Sequence, residues 1–345
     1  MINFKNSSLL CLIASVSIAL LAGGQGQAQT IQRNTDIFAI KGTDTLRMDT
    51  YIDTQAEVKP EGRPVLIYIH GGGFTTGSRV NAAQESFCRY MAAQGFLTAA
   101  VEYRLAGMPS ADPSAPNPYG VQSVRETVTI ACEDVVEAIN YILDKSEWKA
   151  NPKLVSVSGG SAGAITALTV VYDVCNGADY TKALPEGFSF VGAISHAGAV
   201  STLEDELTWK TKPCPIFFFH GTQDELVPLD KQDVAGTNFM GTTYLTTQFE
   251  KMDVPHWTWI EVGADHVMAM KPLTAYLEEQ ARFLKEFVIG EKHASVKTEW
   301  SDEIPDGMQS VEQMIKVVPL YILGFGKYLE EIDWLNMPKP DAIVY

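Results

Sequence analysis

A serine set between glycines is the residue of this chain best suited to act as a nucleophile. The run from Gly159 to Gly163 reads GGSAG and fits the pattern G-x-S-x-G, with Ser161 at its centre. A short apolar run precedes it and a helical pattern follows it, so we predict that Ser161 lies on a strand-to-helix corner. Such a corner presents the hydroxyl at the C-terminal edge of a parallel sheet. It also places the backbone N–H of Ala162 at a helix N-terminus, where it can face the negative charge that develops during acyl transfer.

A serine hydroxyl attacks only when a base takes its proton, and histidine is the usual base. Among the 6 histidines of the chain, His266 follows a predicted strand and precedes the last predicted helix. Asp224 follows another predicted strand, in the run IFFFHGTQD. We expect both side chains at the same sheet edge as Ser161, with Asp224 orienting the imidazole. The other carboxylates nearby are predicted to be solvated loop charges: Glu225, Asp230 and Asp265.

A glycine-rich loop is predicted to bind the oxyanion of the reaction. The run His70–Phe74 reads HGGGF and directly follows the apolar run VLIYI. Three glycines let the backbone approach a ligand closely and direct its N–H groups at a negative charge. A phosphate-binding loop would need a following Lys-Ser/Thr or a G-x-G-x-x-G pattern, and neither is present. We expect the His70 side chain to orient this loop by hydrogen bonding.

The elements that must position these residues alternate along the chain. After a predicted hairpin, apolar runs that are typical of buried parallel strands alternate with helical patterns. The predicted strands cover residues 37–40, 46–52, 65–70, 96–103, 154–157, 190–194, 216–219 and 258–262, and the predicted helices 82–94, 128–143, 162–172 and 273–287. This alternation predicts one α/β domain with a mostly parallel central sheet flanked by helices.

Five motifs together resemble the α/β-hydrolase superfamily, and more narrowly its HGGG-type carboxylesterases, the hormone-sensitive-lipase-like and acetyl or feruloyl esterases. They are HGGGF at 70–74, VEYRLAG at 101–107, GGSAG at 159–163, HGTQDELVP at 220–228 and GADH at 263–266. The order Ser161, Asp224, His266 also matches that superfamily. The resemblance spans about residues 36–290 and implies the α/β-hydrolase fold with those three residues as a catalytic triad.

The same resemblance implies that the oxyanion donors are the backbone N–H groups of Gly72, Gly73 and Ala162. Phe74 and His196 are candidates for lining the substrate site, although a purely structural role is the alternative for His196. No long insertion separates the strands near residues 194 and 216, so no large lid is expected there. The elbow also reads GGSAGA where this branch usually has GDSAGG. These departures favour small secreted acetyl or feruloyl esterases over lipases.

Charge and cysteine usage exclude several classes of function. The chain has 26 Lys and Arg against 42 Asp and Glu, a formal net charge of −16, which argues against nucleic-acid binding. The cysteines form no C-x-x-C pair and have no histidine at metal-ligand spacing, so we expect no metal, and the proposed chemistry needs no cofactor. A disulfide between Cys175 and Cys214 is the pairing we favour, with four buried free thiols as the alternative.

The two ends of the chain are predicted to lie outside the catalytic domain. Residues 1–28 have the layout of a secretory signal peptide, with cleavage after Gly24 or Ala28, which predicts a secreted or periplasmic protein without a membrane span. Residues 29–290 are predicted to form the catalytic domain. Residues 291–345 are predicted to form a mainly helical extension that packs on the domain or near the site.

These observations predict a secreted serine esterase that hydrolyses carboxylic esters through an acyl-enzyme intermediate. The substrate would be a small molecule or an oligosaccharide that carries a small or aromatic acyl group. Two alternatives stay open: a serine peptidase of the same fold, because the same triad cleaves amides, and a binding protein that keeps the fold without its chemistry. The sequence leaves the oligomeric state open.

Overall fold

The computed structural model describes residues 30–107, 117 and 119–301. The predicted signal peptide and residues 302–345 of the predicted extension lie outside the described residues. No helix in the described ranges is long and apolar enough to span a membrane. The described residues form one compact unit.

Most strands of the described residues belong to one large sheet, and the rest form a small antiparallel sheet. The strands are β1 (Ile31–Lys41), β2 (Asp44–Asp53), β3 (Arg63–Ile69), β4 (Leu97–Val101), β5 (Ala150–Gly160), β6 (Gly192–His196), β7 (Val200–Thr202), β8 (Ile216–Gly221), β9 (Lys231–Val234), β10 (Thr237–Met240), β11 (His256–Glu261) and β12 (Ser295–Trp300). The large sheet has the order β1-β2-β4-β3-β5-β6-β8-β11-β12 and the small one β7-β10-β9. From β4 to β12 all neighbours in the large sheet are parallel, whereas β1 and β2 are antiparallel additions.

Helices connect the parallel strands and cover both faces of the sheet. They are α1 (Ala82–Ala93), α2 (Val124–Asp144), α3 (Ala162–Asn176), α4 (Thr242–Met252), α5 (Pro272–Ala275) and α6 (Leu277–Phe283), with 3-10 turns at Ser146–Trp148, Asp179–Ala183 and His266–Ala269 and a π-helical turn at Leu284–Ile289. Asn81 and Ser123 cap α1 and α2 with side-chain oxygens that accept backbone N–H groups.

Alternating residues of the central strands supply two hydrophobic cores. In β3, Val65, Ile67 and Ile69 face the core on one side of the sheet, and Leu66 and Tyr68 face the core on the other side. Because both faces are buried, the strand reads as a continuous apolar run rather than an alternating one. The same reasoning explains why the apolar runs in the sequence identify the central strands of the sheet.

The fold departs from the prediction at its C-terminal side. The domain does not end at residue 290, because β12 pairs in parallel with β11 as the ninth strand of the sheet, so the first part of the predicted helical extension is a strand. The predicted helix 273–287 is broken at Tyr276, whose φ of −122° leaves the helical range. Its ring packs against Phe219 and Trp259 instead, and its hydroxyl donates to Glu261.

The favoured disulfide is also absent, since Cys175 and Cys214 are free thiols, as are the other two cysteines of the described residues, Cys88 and Cys132. Both Cys88 and Cys132 are buried, as expected for small apolar side chains.

Between β6 and β8 the chain forms only β7 and irregular loops, so the described residues contain no helical lid at that point. The short strands β7, β9 and β10 were not predicted.

The close approach of β3 to the start of α3 requires a glycine at position 163. A Cβ atom at Gly163 would lie 2.0 Å from the carbonyl oxygen of Ile69 and 2.6 Å from that of His70. Both contacts are with backbone, which cannot rotate away. The end of β3 and the first turn of α3 can therefore meet only where there is no side chain.

We predict that Gly163→Ala lowers the free energy of unfolding by more than about 3 kcal/mol, because the methyl group would force two elements apart. The matched control is Gly236→Ala, at a φ of +78° with open space around the Cβ position. That substitution adds only backbone strain, worth about 1 kcal/mol. Urea unfolding of both variants tests the difference, and equal losses would contradict the packing argument.

Candidate active site

Ser161 occupies the sharp turn between β5 and α3. Its backbone has φ 55° and ψ −123°, in a region that residues with a Cβ rarely adopt. The turn is held because the Ser161 N–H donates to the carbonyl of His196 at 2.9 Å and the Ser161 carbonyl accepts from Ile165. The side chain is thereby raised above the C-terminal ends of the parallel strands. Its Oγ lies 2.8 Å from Nε2 of His266.

His266 begins a 3-10 turn that follows β11. The preceding Asp265 caps this turn, since its Oδ1 accepts from the N–H of Val267 at 2.8 Å. The turn packs directly on the serine corner: a Cβ atom at Gly160 would lie 2.3 Å from the carbonyl oxygen of Ala269. A glycine beside the serine therefore allows the histidine turn to come within hydrogen-bond reach.

Asp224 lies in the loop after β8, and its side chain is completely buried. Its Oδ2 lies 2.8 Å from Nδ1 of His266, and its Oδ1 accepts from the backbone N–H groups of Leu226 and Val227 at 3.0 and 2.9 Å. Burial by itself raises the pKa of Asp224, but hydrogen bonding to His220 and His266 outweighs it and holds that pKa well below its ordinary value. The carboxylate is therefore ionised and directed at the imidazole.

The loops that carry the acid and the histidine are joined by backbone hydrogen bonds. The N–H of Thr222 donates to the carbonyl of Glu261 at 3.1 Å, and that of Gln223 donates to Ala264 at 2.9 Å. The hydroxyl of Thr222 accepts from the N–H of Gly263 at 2.8 Å. These bonds fix the relative position of Asp224 and His266 before any substrate binds.

The glycine loop folds back on itself next to the serine. Gly72 and Gly73 have φ values of +120° and +59°, and the Gly72 carbonyl accepts from the N–H groups of Thr75 and Thr76. A Cβ atom at Gly71 would lie 3.2 Å from Cβ of Ser161, so the loop and the serine corner are in contact. In the described part of the chain, no acceptor binds the N–H groups of Gly72, Gly73 or Ala162. All three are free to bind an oxyanion.

His70 fastens the base of this loop. Its Nδ1 lies 2.7 Å from the carbonyl oxygen of Gly71, and its ring stacks on Tyr103 at 4.5 Å between centroids. The Tyr103 hydroxyl in turn donates to the His70 carbonyl at 3.0 Å. Burial lowers the pKa of His70. A neutral histidine in this position orients the loop, in line with the sequence-based expectation.

The two residues predicted as candidates for lining the site lie in the interior. Phe74 is 3% exposed and packs edge-on against Tyr103. His196 is fully buried, and its Nε2 lies 2.7 Å from Oε1 of Gln280. Both side chains are buried because they lie at or just after the ends of central strands, where the apolar and aromatic side chains of neighbouring strands enclose them. His196 therefore takes the structural role that was the alternative prediction.

The carboxylates that lie near Asp224 and His266 in the sequence do not contact Ser161 or the His266 ring. Glu225 and Asp230 are exposed, and Asp265 caps the turn of His266. Sequence reasoning did not single out His220, whose Nε2 lies 3.4 Å from Oδ2 of Asp224. Its position four residues before Asp224, in the run HGTQD, was the available signal.

Comparisons with known proteins agree with this geometry. A sequence model of the family described as BD-FAE matches residues 48–179, which include the glycine loop and the serine corner. Gut esterase 1 of Caenorhabditis elegans is 29% identical over 146 residues, which is 42% of this chain and 25% of that protein. Gut esterase 1 of Caenorhabditis briggsae is 26% identical over 144 residues, 40% of this chain and 24% of that protein. The chain thus spans about a quarter of the length of these curated relatives.

Solved structures settle the fold. The apo form of Thermogutta terrifontis esterase 2 superposes with a TM-score of 0.52 at 20% identity and covers 76% of this chain and 96% of its own. MGS-M1, an α/β hydrolase from a Medee basin deep-sea metagenome library, superposes with a TM-score of 0.50 at 16% identity. The superposition covers 76% of this chain and 99% of MGS-M1. The chain has the α/β-hydrolase fold. The predicted fold class and the predicted resemblance of the chain to carboxylesterases are thereby confirmed.

The buried His196 makes the stability of the folded chain depend on pH. Burial lowers the pKa of His196 to about 4 in the folded chain, whereas the pKa of histidine in an unfolded chain is about 6.5. The unfolded chain therefore binds a proton first as the pH falls. The contribution of His196 to stability is complete above about pH 6.5 and is lost progressively towards about pH 4.

We predict that His196→Gln makes the loss of unfolding free energy between about pH 7.5 and about pH 4.5 smaller by about 2 kcal/mol. Urea unfolding at the two pH values measures this difference. His293→Gln is the control, because His293 is exposed and its ion pair with Asp253 lies at the surface, where such pairs contribute little, so most of the pH dependence should remain. The same slope in wild type and His196→Gln would show that His196 is not buried in its neutral form.

Proposed function

We propose that this protein, which has the α/β-hydrolase fold, is a serine esterase that cleaves carboxylic esters through an acyl-enzyme intermediate on Ser161. The observation that carries the proposal is the pair of 2.8 Å contacts that joins Ser161 to His266 and His266 to Asp224. The relatives named esterases and the matched family support the same activity. The proposed roles of the three residues follow from their hydrogen-bonding groups.

The tautomer of His266 is fixed by its neighbours. The Asp224 carboxylate can only accept, so Nδ1 of His266 carries a proton and Nε2 presents a lone pair to the Ser161 hydroxyl. As Oγ attacks the ester carbonyl carbon, its proton moves to Nε2, and the carboxylate stabilises the resulting imidazolium. Nucleophile and base are thus in contact before the substrate arrives.

The oxyanion of the tetrahedral intermediate would be held by backbone N–H groups. Those of Gly72, Gly73 and Ala162 belong to the glycine loop and to the residue after Ser161, and they have no acceptor in the described residues. Donors that are fixed in place cost no reorganisation when the charge forms. The N-terminus of α3 adds its partial positive charge at the same point.

Three proton transfers complete the cycle. The imidazolium gives its proton to the departing alkoxy oxygen, the C–O bond of the ester breaks, and the alcohol leaves the acyl group on Ser161. Water then gives a proton to Nε2 and attacks the acyl carbon. Collapse of the second tetrahedral intermediate releases the carboxylic acid and returns the proton to Ser161 Oγ.

For the substrate we propose an uncharged small-molecule or oligosaccharide ester with a small or aromatic acyl group, encountered in a secreted or periplasmic setting. The net charge of −16 supports an uncharged ester, because it disfavours strongly anionic substrates. Rates on p-nitrophenyl esters of increasing chain length, acetylated xylan and feruloylated oligosaccharides test this class. Highest kcat/KM on long-chain esters would contradict it.

We predict that Ser161→Ala reduces the turnover of p-nitrophenyl acetate by more than about 10⁴-fold, because the acyl-enzyme can no longer form. Ser158→Ala is the control: Ser158 is a fully buried serine of β5 whose hydroxyl has no partner among the described residues. It should keep the wild-type kcat. Turnover that survives in Ser161→Ala would remove Ser161 from the mechanism.

We predict that Asp224→Asn lowers kcat by roughly 10³- to 10⁴-fold, because an amide can donate to Nδ1 and so favour the tautomer that leaves no lone pair for serine. Glu225→Gln changes an exposed carboxylate one residue away and should have no comparable effect. Steady-state kinetics of both variants separate the two cases. Similar kcat values for Asp224→Asn and wild type would contradict the role of the acid.

A further inference from the structure

His220 is a buried histidine that the proposed mechanism does not use. It lies at the end of β8, its side chain is fully buried, and it contacts three groups. Its Nδ1 lies 2.9 Å from the hydroxyl oxygen of Thr242, the first residue of α4. Its Nε2 lies 3.1 Å from the carbonyl oxygen of Val227 and 3.4 Å from Oδ2 of Asp224.

These neighbours determine which nitrogen carries the proton. Both groups that face Nε2 can only accept, so Nε2 of His220 is the protonated nitrogen. Nδ1 faces the hydroxyl of Thr242, which can donate to it, so both ring nitrogens have hydrogen-bond partners. His266 has the opposite tautomer, with its proton on Nδ1. The same carboxylate of Asp224 therefore lies against two imidazoles that present different nitrogens to it.

His220, Val227 and Asp224 are linked to one another by hydrogen bonds and a close contact. The Val227 carbonyl accepts from His220, while the Val227 N–H donates to Oδ1 of Asp224 at 2.9 Å. His220 thus holds the loop whose N–H groups hold the carboxylate, and it places a further N–H beside Oδ2. Because the side chain of Asp224 is fully buried, no water can substitute for these donors.

We propose that His220 is a positioning residue that fixes the Asp224 carboxylate in the orientation His266 needs. The proposal rests on the proposed esterase function for its kinetic consequences. Its structural part stands separately: the Nε2–H of His220 sets the rotation of the carboxylate and of the loop 224–227. Without it, Oδ2 is free to turn away from Nδ1 of His266, and the imidazole is less well oriented for proton transfer.

The test compares His220→Met, which fills a similar volume without an N–H donor, with His220→Gln, whose amide can place an N–H near the position of Nε2. We expect His220→Met to lower kcat for p-nitrophenyl acetate about 10- to 100-fold, with KM changed by less than about twofold, because positioning acts on proton transfer. We expect His220→Gln to recover most of that loss.

A second measurement reads the acid–histidine contact directly. The low-field proton resonance of His266 Nδ1–H reports the strength of its hydrogen bond to Asp224. We expect this resonance to move upfield in His220→Met and to return towards the wild-type position in His220→Gln. If wild-type protein fails to turn over esters, the proposed function is wrong, while this resonance still decides the role of His220.

His256→Met is the matched control for the loss of a buried histidine. His256 is 3% exposed at the opposite end of the strand pair β8–β11, and its Nδ1 binds the carbonyl of Val254. It should lose stability but keep kcat and the resonance. Equal losses of kcat in His220→Met and His256→Met, or an unmoved resonance in His220→Met, would overturn the proposal. If His220→Met does not fold, His220→Asn takes its place, because it also lacks a donor at the Nε2 position. We then expect a lower kcat and an upfield resonance in His220→Asn, and recovery of both in His220→Gln.

Discussion

A negative charge enclosed in the protein is the constraint on which the rest of this site depends. The Asp224 carboxylate has no exposed surface, and an ionised group can remain there only if donors surround it. The structure supplies them from two backbone N–H groups, from His266 and from the neighbouring His220. The loop after β8 must therefore adopt one conformation. A histidine turn that is bonded to that loop then has a fixed position as well.

Glycines allow the histidine turn and the glycine loop to pack closely around Ser161. The histidine turn can rest on the serine corner because position 160 has no side chain, and the corner can rest on β3 because position 163 has none. On the other side, the glycine loop lies against Ser161 at position 71. Three chain segments that are distant in sequence thus meet within a few ångströms: β3 with its glycine loop, the serine corner and the histidine turn. The strained backbone of Ser161 is held by its neighbours rather than by its own preferences.

The sequence was most informative where one physical rule determines the outcome. Continuous apolar runs require strands buried on both faces, so the central sheet and the strand ends near Ser161, Asp224 and His266 could be predicted. Patterns whose outcome depends on tertiary contacts were less informative. Nothing local indicates that Tyr276 leaves a helix to stack on aromatic rings, or that exposed residues 295–300 pair as an edge strand. Phe74 and His196 were placed at the site by sequence proximity, yet the core encloses both.

We propose that the hydrogen-bonded series from Asp224 through His266 activates Ser161. Paraoxon, diethyl p-nitrophenyl phosphate, phosphorylates serine hydroxyls that an adjacent base activates. Mass-spectrometric peptide mapping after treatment with the same reagent tests the claim most directly. We predict one diethylphosphoryl group per chain, located on Ser161, and almost none at equal time in His266→Ala. A label on another residue, or equally rapid labelling of Ser161 in His266→Ala, would contradict the account.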